Sequence, residues 1–186
     1  MDQRFIQNLQ VLVRVLSTTS PFYSKPTTTL EETRTKIEYL KHVIENQDGY
    51  RILYVNGKPV EREQDLQILF TLVWEGAPSS VDAEVNTGRG AVDFKIWRGA
   101  WDSTLVEFKL ASNSQLERNL ENQVAIYEKA NRTTQSFMVI VFVSAYEEAA
   151  VHRVLNRLNV PVGAGVILID ARQNNKASAS KAKSPA

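Results

Sequence analysis

The chain has 186 residues, of which 43% are hydrophobic and 23% charged, with no Cys. That is an ordinary globular composition for one domain with a decorated edge, and it excludes disulfides, thiolate metal sites and a cysteine nucleophile. Net charge is +1, yet it becomes −3 without Arg172, Lys176, Lys181 and Lys183 of the C-terminal stretch; this excludes a general nucleic-acid coat, but not a site whose acids count as negative until cations bind.

Phe5, Ile6, Leu9, Leu12, Val13 and Leu16 form a helical stripe over residues 3–17, which Thr18-Thr19-Ser20-Pro21 stops. A second helix is expected over 30–46, with Thr29 as its N-cap, Glu31 and Glu32 in its first turn and Asp48-Gly49 at its end. Residues 51–55 read as a short strand, Asn56-Gly57 as a hairpin turn and Lys58-Pro59-Val60 as the return. Residues 62–75 read as a helix apolar over most of its circumference, and therefore buried. Three strands should follow at about 80–86, 90–98 and 104–110 as a meander, then a helix over 115–132. Phe137 to Val143 is a continuous apolar strand of the kind buried on both faces, followed by a helix at 146–158 and a last strand at 166–169. From Gln173 onward the composition reads as a disordered tail. No apolar run reaches the ~18 residues a membrane span needs, and Met1-Asp2-Gln3-Arg4 lacks a signal-peptide layout, so a cytoplasmic location is expected.

Three charges stand out because they interrupt apolar strands. Asp93 lies in Ala91-Val92-Asp93-Phe94-Lys95, and Glu107 and Lys109 lie in Leu105-Val106-Glu107-Phe108-Lys109. A buried charge costs several kcal/mol unless it is paired or holds a metal. Strand side chains alternate with period two, so Val92, Phe94 and Ile96 oppose Asp93, Lys95 and Trp97, while Val106 and Phe108 oppose Glu107 and Lys109. Paired as a hairpin, the two strands bring Asp93, Glu107 and Lys109 to one face. Carboxylates beside a lysine suit a hard cation with a proton-handling group next to it. Glu84, in the preceding strand, is a further acid on the alternating pattern. Gly88-x-Gly90 reads as a turn, and His42 and His152 lack any nucleophile motif or zinc spacing around them.

An Asp, thirteen residues, then Glu-x-Lys resembles the PD-(D/E)xK nuclease superfamily, although residue 92 is Val where the signature has Pro. Gln123-x-x-x-Tyr127 on the following helix is similar to the extra motif of its exonuclease-type branch. The resemblance covers about residues 61–170 and implies an α/β fold: a restriction-endonuclease-like central mixed β-sheet flanked by helices. Residues 1–60 would then be an N-terminal helical extension with a short hairpin, 61–171 the nuclease domain and 172–186 a basic tail. It further implies Mg2+ or Mn2+ held by Asp93, Glu107 and the Phe108 carbonyl, with one more acid from the helix at 62–75. Glu63 is the first candidate for that acid and Asp65 the second, with Glu84 as an alternative. Lys109 would orient or deprotonate the attacking water or stabilise the pentavalent phosphate, and Gln123 and Tyr127 would line the site. The implied substrate is nucleic acid, with DNA expected first by family habit, cut to a 5′-phosphate and a 3′-hydroxyl. A homodimer or a place in a larger DNA-processing or phage-defence assembly would supply target recognition. The rival expectation is a catalytically silent nucleic-acid-binding or assembly module of the same fold.

Overall fold

The computed structural model describes residues 28–86, 91–129, 135–163 and 165–176, with residues 7, 11, 12 and 15; for Val85, Asn86, Ala91 and residues 123–129 the backbone alone is described. The helix α1 (Thr29–Asn46) starts one residue earlier than the sequence suggests, because Thr28 is its N-cap and its side chain accepts from the Glu31 N–H. Thr29 is occupied elsewhere. Its N–H donates to Asp102 Oδ2 at 2.9 Å and its hydroxyl to Asp102 Oδ1 at 2.6 Å. A carboxylate 73 residues away therefore satisfies one of the orphan donors at the N-terminus of α1.

The expected strand at 51–55 is mostly a 3-10 turn over Gly49–Leu53, and only Tyr54–Val55 (β1) pairs with Lys58–Pro59 (β2). Gly49 explains the change: a Cβ there would lie 2.7 Å from the Val43 carbonyl oxygen, so the chain doubles back against the end of α1. Asn56 and Gly57 both have positive φ, at 52° and 76°, as a two-residue hairpin turn requires.

The next helix, α2 (Glu63–Val73), buries one face rather than most of its circumference. Leu66 and Phe70 are buried, while Ile68 and Leu72 are 61% and 68% exposed. It lies on the outside of the sheet, so only one side meets the core. Phe70 packs on Phe94 and Phe108, each with ring centroids 5.0 Å away.

The sheet runs in the order β3 (Ser80–Asn86), β4 (Ala91–Arg98), β5 (Asp102–Leu110), β6 (Gln135–Phe142) and β7 (Val166–Asp170). The first three strands are an antiparallel meander, and β5, β6 and β7 are parallel. Parallel neighbours need crossovers, here α3 (Leu116–Lys129) and α4 (Ala145–Arg157). The expected meander and the buried strand at 137–143 are therefore present. Two apolar layers result. On one face α1 and α2 cover Phe94, Ile96, Val106, Phe108 and Val139. On the other, α3 and α4 cover Met138, Ile140 and Leu168. The protein is thus a mixed α/β sheet between two helical layers, and no described helix is long and apolar enough to cross a membrane.

Polar contacts fix the layers. Glu32 is 2% exposed, and its Oε2 accepts from Arg98 Nη2 at 2.6 Å and from the Ser79 hydroxyl. Arg98 therefore serves the face of β4 opposite the one that carries Asp93. At the outer edge of the sheet the β7 backbone is met by side chains of α1: Lys41 donates to the Leu168 carbonyl and Glu45 accepts from the Asp170 N–H. This blunts an edge strand. Asn175 and Lys176, expected in the disordered tail, bond to the Asp170 side chain and carbonyl. Of the expected helix at 3–17, residues 7, 11, 12 and 15 are helical and the others lie outside the described residues, as do 130–134 and the tail beyond 176.

Glu32→Ala is expected to cost about 2–3 kcal/mol, because the Ser79 hydroxyl and the Arg98 guanidinium lose their charged acceptor. Glu38→Ala, on the exposed side of α1, should change stability by no more than about 0.5 kcal/mol; urea denaturation measures both. Asp170 supplies a pH test. Burial pushes its carboxyl up, but hydrogen bonds from Arg172 and Asn175 and the charge of Lys176 outweigh this and hold it at about 2. The folded value is the lower one, so the stabilisation is complete above 3.8, the ordinary value, and is lost as pH falls towards about 2. With solvent screening the loss should be about 1–2 kcal/mol, and Asp170→Asn should remove it from the acid-unfolding curve.

Candidate functional site

The site forms where β4 ends its pairing with β5. The ladder runs from Arg98↔Asp102 to Phe94↔Val106. Beyond that pair the backbone of β4 gives way to the Asp93 side chain, whose Oδ2 accepts from the Phe108 N–H at 2.6 Å. The period-two expectation holds on both strands. Phe94, Ile96, Val106 and Phe108 face α1 and α2, and Asp93, Glu107 and Lys109 take the alternate positions.

Lys109 is 8% exposed. Its ammonium lies 3.1 Å from Glu107 Oε1 and 3.1 Å from Glu63 Oε2. Burial pulls this ammonium down, but the two carboxylates outweigh burial, so the net shift is upward and the group stays charged. The Asp93 carboxyl is pushed up, first by burial and then by the charges of Glu107 and Glu63, with the Phe108 N–H and Lys109 acting against them. Three acids around one lysine leave an excess of negative charge in a half-buried place.

Glu63 reaches this cluster because it shares a face of α2 with Leu66 and Phe70, the residues that seat the helix on the sheet. Both its oxygens are engaged. Oε1 accepts from Asn113 Nδ2 at 2.6 Å and from the Leu110 N–H at 3.4 Å, while Oε2 accepts from Lys109. Asn113 also accepts from the Gln115 N–H at 2.8 Å, so one amide ties Glu63 to the start of α3. Sequence reasoning passed over Asn113. Its position before an expected helix marks it as a capping residue, but nothing in the sequence points it at Glu63. An open depression of about 340 Å³ beside Arg62, Glu63, Ser112 and Asn113 lies at this end of β5.

Of the other candidates, Asp65 and Glu84 take no part in these hydrogen bonds. Asp65 pairs with Arg62 at 3.0 Å. Glu84 is exposed and stands opposite Asp93, between the pairs Ala83↔Phe94 and Val85↔Val92, with a left-handed φ of 53°. Gln123 and Tyr127 belong to the backbone of α3, but their side chains lie outside the described residues, as does the Gly88–Gly90 loop with Arg89. Among the described residues no three His, Cys, Asp or Glu side chains converge as a metal cluster. A cation here would draw on the two carboxylates of Asp93 and Glu107 and on backbone oxygen, a donor set that suits a hard dication.

No curated protein matches the chain, and no solved structure does. A family model described as a domain of unknown function, DUF8371, matches residues 29–145, from the first residue of α1 to the first of α4. That span is more than half of the chain and contains every member of the Asp93, Glu107, Lys109, Glu63 and Asn113 cluster, so the chain belongs to the DUF8371 family.

Proposed function

We propose that the protein is a divalent-cation-dependent nuclease that hydrolyses phosphodiester bonds of nucleic acid, with DNA the first substrate to test. In this reading its sheet and helices are a restriction-endonuclease-like fold. The observation that carries the reading is Lys109, an ammonium 8% exposed on a strand, set between Glu107 and Glu63 and beside Asp93. A lysine that served only to join strands would need one counter-ion. Here three acids surround it, and the excess negative charge calls for a further cation.

Asp93, Glu107 and the Phe108 carbonyl would hold Mg2+ or Mn2+. Such a cation would supply charge neutralisation at the scissile phosphate and acidify the attacking water. Lys109 then donates to the phosphate oxygen on which charge develops, a contact worth most in a half-buried site. Glu63 acts on Lys109, since its oxygens are taken by that ammonium, the Leu110 N–H and Asn113. Asn113 is a positioning residue: it keeps Glu63, and through it Lys109, aimed along β5. Gln123 and Tyr127, on α3, are assigned to substrate contact.

Purified protein is expected to cleave plasmid, linear duplex or single-stranded DNA with Mg2+ or Mn2+ and to stop in EDTA. Asp93→Ala and Lys109→Ala should each lower the rate by about 10²-fold or more, with folding checked by circular dichroism. Cleavage that survives both changes would sink the assignment. If wild type neither cleaves nor binds Mn2+ by calorimetry, the silent-module reading stands instead. Asn113→Ala should lower kcat by about 10-fold at unchanged KM and cost about 1 kcal/mol of stability. A stability loss without the kcat loss would reduce Asn113 to a helix cap.

A further inference from the structure

The face of β4 that carries Asp93 continues through Lys95 to Trp97. Two strand residues advance about 6.6 Å, so Trp97 stands roughly 13 Å along the strand from Asp93. Trp97 is 37% exposed, and its indole N–H donates to Asp82 Oδ2 at 2.8 Å, which fixes the plane of the ring. Trp101, in the turn that joins β4 to β5, is 98% exposed. Tryptophan is usually well buried, as Trp74 is at 7% in the core. Among the described residues, the apolar cluster on this side of the sheet draws on β6, β7, α3 and α4 and takes none from β3 or β4. The strip therefore presents a carboxylate, an ammonium and an aromatic plane in order along one strand.

We propose that Trp97, supported by Trp101, stacks an unpaired base of single-stranded nucleic acid and leads the strand towards Asp93. The proposal takes its ligand class from the nuclease reading of that neighbouring site. A base offers its flat face to an indole only when it is unstacked. A duplex hides those faces, and a ring lying on a sheet cannot enter the stack. Lys95 lies between the ring and the acids, where a backbone phosphate would pass. Asp82 and Glu84 on β3 oppose a general attraction for phosphate, so recognition rests on stacking more than on charge, in keeping with a net charge of +1. A protein partner would want an apolar surround, but the ring's near positions are Asp82, Lys95 and its pairing partner Ser103.

The test reads tryptophan emission while full-length protein is titrated in EDTA with an oligothymidylate of about 12 nucleotides, within the usual site size, or with a relaxed closed-circular duplex, which has no exposed terminal base. The single strand is expected to quench emission and the duplex to leave it nearly unchanged, with Trp74 as the internal reference. Anisotropy of a labelled strand should show Trp97→Leu weakening binding about 5- to 100-fold, the loss of one stacked base, and Trp97→Tyr restoring most of it. Equal quenching by duplex, no quenching by either, or an unchanged affinity in Trp97→Leu overturns the proposal, as does self-association that buries Trp97. Because EDTA holds cleavage off, stacking without any nuclease activity would fail the nuclease reading alone, and metal-dependent cleavage without stacking would fail this one alone.

Discussion

A lysine that is 8% exposed on a central strand cannot keep its charge without partners. That one constraint organises the protein around Lys109. Its own strand supplies Glu107, and the second carboxylate must come from outside the sheet. Glu63 supplies it, which requires the N-terminal turn of α2 to sit over the end of β5. Phe70, two turns along the same face, holds it there against Phe94 and Phe108. Asn113 closes the arrangement by bonding Glu63 and the start of α3 at once. Site and core are therefore not separable: the residues that seat α2 also aim Glu63.

Much of this was legible because two periodicities coincided. Alternation in β4 and β5 announced which side chains share a face, and charges on the otherwise apolar strands marked the face with a task. The continuous apolar run of β6 announced a strand covered on both sides, and helices α3 and α4 provide that cover on one of them. What was not legible depended on contacts distant in sequence. Thr29 looked like a helix cap until Asp102 claimed it. Arg98, on the core face of β4, meets Glu32, 66 residues away. Residues 51–55 looked extended, but the close approach of Gly49 to Val43 turned them into a 3-10 segment. Local propensity lost in each case to a tertiary partner that no window of sequence contains.

The candidate site follows the same division. Asp93, Glu107 and Lys109 could be named from residue type and position, and Glu63 only as one of the acids that the resemblance implies. Their connections could not. That Asp93 takes over a ladder bond from Phe108 where β4 leaves β5, and that Glu63 spends both oxygens on β5 and Asn113, are facts of geometry. They shift the emphasis on Glu63 from a candidate ligand to the partner that keeps Lys109 charged and aimed.

The β4–β5 hairpin carries both demands by parity. Even-numbered residues build the layer under α1 and α2: Phe94, Ile96 and Arg98 on β4, with Asp102, Thr104, Val106 and Phe108 on β5. Odd-numbered residues Asp93, Lys95, Trp97, Glu107 and Lys109 take the other face. A slip of one residue would exchange the two sets, burying the site and exposing the core. The apolar alternation resists that slip strongly, but a slip of two residues keeps both faces and is resisted by apolar contacts only weakly. Directional bonds resist it better. Asp102 to Thr29 and Arg98 to Glu32 each join the far end of the hairpin to α1, and Asp93 to Phe108 joins its two strands at the near end. The register that places the acidic cluster is thus held at both ends by polar contacts, and only one of the three belongs to the cluster itself.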